Sequence, residues 1–226
     1  MNLKTKEMKN NSTVSRKKFL QKLGLGVVAV PLAAFGISSF KKEEELIQEE
    51  NCGLTDWATE GPFYVRNTKE SVNINFTNLP GNTMKVAGTV YSGTDKSNPI
   101  ANAKIEVWHA DKDGIYHPTG DGDITRYKPS EIELRGYVIT DKDGHYSFHS
   151  IEPGLYSGRR RHIHYKISAE NHEAITTQSY WLSEKGTKRE KIDRTDSNTE
   201  DCRYIDFKNS KNGIVGTFDI YLKPRM

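Results

Sequence analysis

Beyond residue 40 no long stretch repeats apolar residues at helical spacing, which argues against a helix bundle or coiled coil. No Gly-x-Ser-x-Gly elbow and no Walker loop occurs, so neither of those two catalytic signatures is present. A Gly-x-Gly at Gly24 and Gly26 lies in an apolar leader with no strand before it, which argues against a dinucleotide site. Cysteine is almost absent. Cys52 and Cys202 are the whole supply, and both lie far in sequence from the histidines, so a cysteine-bearing zinc site lacks its ligands. In an oxidising compartment the two would tie the start of a domain to a late loop; spacing alone leaves a disulfide and two free thiols open.

A strong charge of one sign is also missing. The formal net charge is +3, but residues 1–40 hold seven Lys/Arg against Glu7 alone. Removing them leaves 26 basic and 29 acidic residues, near −3, a poor footprint for nucleic-acid binding. The leader has a polar, basic start, then "SRKKFLQK" from Ser15, then an apolar run to Phe40 interrupted by Gly, Ser and Pro31. That order reads as an export signal rather than a spanning helix. "SRKKFLQK" resembles a twin-arginine signal with Lys17 in place of the second arginine. If uncleaved, the leader is an N-terminal anchor and the chain's membrane contact. Residues 41–51 form a charged linker, and residues 52–226 the expected folded domain, periplasmic or extracellular.

What the domain does contain is short alternating runs. Residues 84–91, 103–110, 136–140, 145–150, 161–168, 175–181 and 213–222 are rich in β-branched and aromatic residues at period two. Turn chemistry separates them: "DKDG" at Asp111 and again at Asp141, and "EPG" at Glu152. Seven or eight such strands predict an all-β fold, an antiparallel β-sandwich with few helices. The "DKDG" pairs also fit an oxygen-rich calcium loop, but neither continues to the distant Glu of an EF-hand, and a turn is the simpler reading.

The chemistry concentrates in "GLYSGRRRHIHYKI", Gly154 to Ile167. His162 and His164 lie two apart on a predicted strand, so both side chains share a face about 7 Å apart, with Ile163 turned toward a core. Two imidazoles at that spacing suit one metal ion; an ordinary strand pair is the alternative. Tyr156 stands six residues earlier. A phenol that ordinarily titrates near pH ~10 binds as phenolate only to a strongly charged, hard metal, which favours ferric iron over zinc or copper if Tyr156 is a ligand.

Four ordered motifs carry a resemblance: "TEGPFY" from Thr59, "IEVWHADKDGIY" from Ile105, "LRGYVITDKDGHYSFHSIEPGLYSGRRRHIH" from Leu134, and "TTQ" from Thr176. They resemble the core motifs of intradiol ring-cleavage dioxygenases, nearest to small, single-domain, exported members. The resemblance implies a β-sandwich holding non-haem Fe(III) through two tyrosinates and two histidines: Tyr116, Tyr156, His162 and His164. It implies cleavage of a catechol-type ring by O2 between the two hydroxyl-bearing carbons, giving a cis,cis-muconate-type diacid. Tyr156 would be the tyrosinate displaced by substrate, and Arg159 the arginine over the bound ring. Gln178 would be a polar neighbour of the iron, and Gly61 and Pro62 a pocket wall. Many relatives have a small residue or proline where this chain has Arg160 and Arg161; a solvated edge and a preference for an anionic substrate are both open for that pair. Substrate identity and homo-oligomer formation are not legible. The competing reading is a non-catalytic β-sandwich binding or adhesion module, which would need neither Tyr116 nor the His pair.

Overall fold

The computed structural model describes residues 52–197 and 200–226; the leader and linker readings for 1–51 lie outside the described residues. Twelve strands are described in chain order: β1 (Val65–Arg66), β2 (Thr83–Ser92), β3 (Lys104–Trp108), β4 (Gly122–Asp123), β5 (Arg135–Ile139), β6 (His145–Ile151), β7 (His162–Ser168), β8 (Ile175–Trp181), β9 (Tyr204–Ile205), β10 (Lys208–Ser210), β11 (Gly213–Thr217) and β12 (Ile220–Leu222). Among the described residues the single α-helix is α1 (Lys188–Ile192), in the long segment between β8 and β9.

Two five-stranded sheets form the sandwich. One runs β5-β3-β7-β8-β9; in the other, β2 pairs with β6 on one side and with β11 and β12 on the other. Alternation explains the packing. Ile105, Val107, Ile163, Tyr165 and Ile167 join Met84, Val86, Val90, Phe148, Ile214 and Ile220 in one dry core. The alternate residues of the first sheet face outward, and they build the site described below.

Pairing is antiparallel through the middle of the first sheet and parallel where β9 meets β8 and where β11 and β12 meet β2. The run 213–222, read above as one strand, is two. Phe218 donates its N–H to Ala87, the Asp219 carboxylate accepts from Thr89 N–H, and the ladder resumes at Ile220. Such an interruption resembles a bulge: a side chain enters the ladder where a backbone carbonyl would sit.

The two "DKDG" segments are turns. The Asp111 carboxylate accepts from the N–H of Asp113 and Ile115, and Asp141 accepts from Asp143 and His145 in the same way. These Asx turns occupy one carboxylate oxygen of each aspartate, which removes the reason for the calcium reading. Cys52 and Cys202 are joined in a disulfide with a Cα–Cα distance of 5.7 Å, fastening the start of the domain to the segment that carries α1.

Candidate metal and substrate site

Register brings the outward residues of the first sheet into rows. Arg135, Trp108, His164 and Gln178 lie side by side across β5, β3, β7 and β8, and His162, Tyr180 and Tyr204 form the next row across β7, β8 and β9. A one-residue slip of β7 would turn both histidines into the core and Ile163 outward, so the apolar alternation of β7 fixes where the imidazoles point.

Tyr116 and Tyr156 arrive on two loops held against each other at glycines. Gly114, at φ +81°, leaves room for Leu155: a Cβ there would lie 2.3 Å from the Leu155 carbonyl oxygen. A Cβ on Gly154 would lie 2.1 Å from the carbonyl oxygen of Lys112, and Gly154 donates its N–H to the Asp111 carbonyl at 2.7 Å. The result is an edge-to-face pair of Tyr116 and Tyr156 with ring centroids 5.6 Å apart. Phe63 stacks on Tyr116 at 4.3 Å and meets Tyr156 edge-on at 5.5 Å. Trp108 stacks on the His164 imidazole at 4.8 Å, and Tyr116, Trp108 and Ala110 make a small apolar cluster of their own.

The four donors converge. Tyr116 Oη lies 3.2 Å from His162 Nε2, and the two imidazole centroids are 4.9 Å apart. His162 Nδ1 donates to the Arg160 carbonyl at 2.7 Å, so its Nε2 is the bare nitrogen that faces Tyr116. The Thr59 backbone and Gln178 stand beside His164, with Gln178 Nε2 3.3 Å from His164 Nδ1. Burial keeps both imidazoles neutral. His162 is pushed down to about 3 by desolvation and then by the Arg159 charge, and His164 is pushed well below its ordinary value by desolvation and then His162. Desolvation pushes the Tyr116 phenol upward, so without a cation it stays protonated.

That combination fits a hard, highly charged metal ion. Two neutral imidazoles offer nitrogen lone pairs, and only a strong positive charge would overcome the raised phenol. Among the described residues no group of three or more His, Cys, Asp or Glu converges. The donor set here is histidine and tyrosine, outside the zinc pattern.

Gly61 and Pro62 sit on the exposed side of this pocket; a Cβ on Gly61 would lie 3.4 Å from His164 Cε1. Arg159 is buried beneath it, its Nε donating to Asp193 at 2.8 Å and an Nη to Gln178 Oε1 at 2.7 Å. Gln178 also donates to the Thr59 carbonyl and accepts from Tyr180 Oη. Gly61, Tyr116, Tyr156, Arg159, His162, His164 and Gln178 are therefore brought into one neighbourhood. The solvated-edge reading of Arg160 is corrected: it is 0 % exposed, stacked 3.5 Å over the Tyr180 ring and bonded to Glu190, Tyr204 and the Asp196 carbonyl. Arg161 is half-buried and paired with Glu152 and Glu184. Asp193, Phe63 and Arg135 were missed. Arg135 donates to the carbonyls of Phe63, whose ring stacks on Tyr116, and of Pro118, two residues beyond Tyr116.

The candidate site is thus a His/Tyr pocket on the outer face of one sheet of a β-sandwich. A family model described as "Dioxygenase" matches residues 59–224. The chain belongs to the intradiol ring-cleavage dioxygenase family. It is 32% identical over 144 residues to the catechol 1,2-dioxygenase of Acinetobacter baylyi, a match covering 53% of this chain and 43% of that protein. It is 29% identical over 167 residues to the chlorocatechol 1,2-dioxygenase of Rhodococcus opacus, covering 61% of this chain and 62% of that protein. The chain thus spans less than two thirds of either relative. The dioxygenase domain of a dioxygenase–carbohydrate-binding protein fusion from Streptomyces sp. SirexAA-E matches with TM-score 0.63 and 28% identity, covering 76% of this chain and 99% of that one.

Proposed function

We propose that this chain is a non-haem Fe(III) dioxygenase that cleaves catechol-type rings between their two hydroxyl-bearing carbons. Both atoms of O2 enter the product, so catechol and one O2 give a cis,cis-muconate-type diacid. The observation that carries the reading is the approach of Tyr116 Oη to the bare His162 Nε2 at 3.2 Å, with His164 and Tyr156 closing the same pocket. Tyr116, Tyr156, His162 and His164 would hold the iron. When bound, ferric iron supplies the Lewis acidity that lowers the catechol's two proton affinities and draws electron density from the ring, opening a ring carbon to O2.

The protein residues divide the remaining work. Tyr116 is buried and wedged between Phe63 and Tyr156, so it holds its place. Tyr156 is half-buried on a loop, and as a phenolate its Oη would accept one catechol proton. Arg159 presents a fixed positive charge where negative charge grows on the substrate, held by Asp193 and Gln178. Gly61 and Pro62 form a wall beside the ring. Outside this site, the Cys52–Cys202 disulfide supports export of the domain to an oxidising compartment.

Oxygen uptake by iron-loaded protein across a panel of catechols, with the product identified, tests the proposal. Uptake of one O2 per substrate with a ring-opened diacid supports it. Absence of uptake on every catechol contradicts it.

A further inference from the structure

We infer that Asp193 is a positioning residue for the proposed reaction: its carboxylate fixes the Arg159 guanidinium in the orientation that catalysis uses. This inference rests on the proposed role of Arg159. Asp193 immediately follows α1, and its side chain is fully shielded from solvent. One oxygen accepts from Arg159 Nε at 2.8 Å and from Thr195 N–H at 3.1 Å; the other accepts from Arg160 N–H at 3.2 Å. The guanidinium is thus gripped at two points, Nε by Asp193 and Nη by Gln178. A planar fork held at both ends cannot rotate about its long axis, which is the preorganisation that electrostatic stabilisation needs.

The carboxylate's own position is set from behind. Arg160, Arg203, Glu190 and Asp196 knit the segment after β8 to the outer face of β8 and β9 through Tyr180 and Tyr204. With Arg159 and Asp193, these make three cations and three carboxylates in one network. The Cys52–Cys202 disulfide closes the far end of that segment. A loop with no catalytic motif of its own therefore delivers a carboxylate to the base of the candidate site.

Iron content, anaerobic catechol binding and turnover of Asp193→Asn test this. The isosteric amide keeps the volume but loses the charge, and Arg159 gains rotational freedom. Iron content and anaerobic catechol affinity are expected to stay at wild-type level while kcat falls by about 10–100-fold. In an Arg159→Ala background the same substitution is expected to change kcat no further, because the two act as one unit. Unchanged kcat in the single variant, a full additional loss in the double variant, or loss of iron would each overturn the inference. Should Asp193→Asn fail to fold, Arg159→Lys decides. Lysine keeps a cation but cannot span both Asp193 and Gln178, so at least a tenfold loss of kcat with iron retained is expected; wild-type kcat in that variant would overturn it. Failure of the parent reading is separate, since it would show as wild-type protein without turnover on any catechol.

Discussion

At the scale of single residues, the two tyrosines share a functional group and differ in burial. Tyr116 is sealed under Phe63 and its phenol is pushed up by desolvation, whereas Tyr156 lies half-buried on the segment that ends at Gly158. The buried one suits a permanent donor and the accessible one an exchanging donor. Tyr156→Phe is therefore expected to retain iron while kcat falls by roughly 10²-fold or more, the weight of a lost proton acceptor. His162→Ala is expected to lose iron, measured by metal analysis after dialysis, because Tyr116 faces that nitrogen directly. Full iron and full activity in that variant would remove His162 from the donor set. A third expectation concerns His109, which is buried between the Ala110 carbonyl and Ser150 and whose imidazole is pushed down to about 4 by desolvation from its ordinary 6.5. Between those values the unfolded chain binds the proton and the folded chain does not. Stability is thus fully present above about pH 6.5 and is lost as pH falls toward about 4. Thermal melts of the metal-free protein across that window check the sign.

At the scale of elements, β7 is the strand on which the site depends. Its inward residues are Ile163, Tyr165 and Ile167, and its outward histidines fall in register with Trp108, Gln178 and Tyr180. That much was legible, because period-two alternation is a local property and β2, β3, β5, β6, β7 and β8 all show it. The strands β1, β4, β9 and β10 were not, since two or three residues carry no period. Nor was the split of 213–222, which depends on Asp219 meeting β2 more than a hundred residues away. That Tyr116, Tyr156, His162 and His164 come together was readable from ordered motifs. Arg160 was not, because its partners Glu190, Asp196 and Tyr204 lie across a loop whose path the sequence does not encode locally. Its burial yields a test at this scale: Arg160→Ala leaves carboxylates uncompensated and is expected to destabilise the fold by about 3–5 kcal/mol in denaturant titrations. Opening the disulfide in a Cys52→Ser/Cys202→Ser variant is expected to cost about 2–5 kcal/mol, since it closes a long loop.

At the scale of the whole molecule, the described sandwich is about as long as the Streptomyces dioxygenase domain it matches and well short of the Acinetobacter baylyi catechol 1,2-dioxygenase. The candidate pocket is built almost entirely from one sheet face and the loops at its end, where Tyr116, Tyr156, His162 and His164 meet. The loop after β8 is held by ion pairs and by the disulfide. The central claim is that two phenolates and two imidazoles hold ferric iron, and absorption spectroscopy of the iron-loaded protein tests it most directly. The account predicts a red-brown protein with a visible tyrosinate-to-iron charge-transfer band. That band should weaken in Tyr116→Phe and in Tyr156→Phe, and shift when catechol is added under nitrogen. A protein that takes up no iron, or stays colourless once iron is bound, would contradict it and favour a binding module built on the same sandwich.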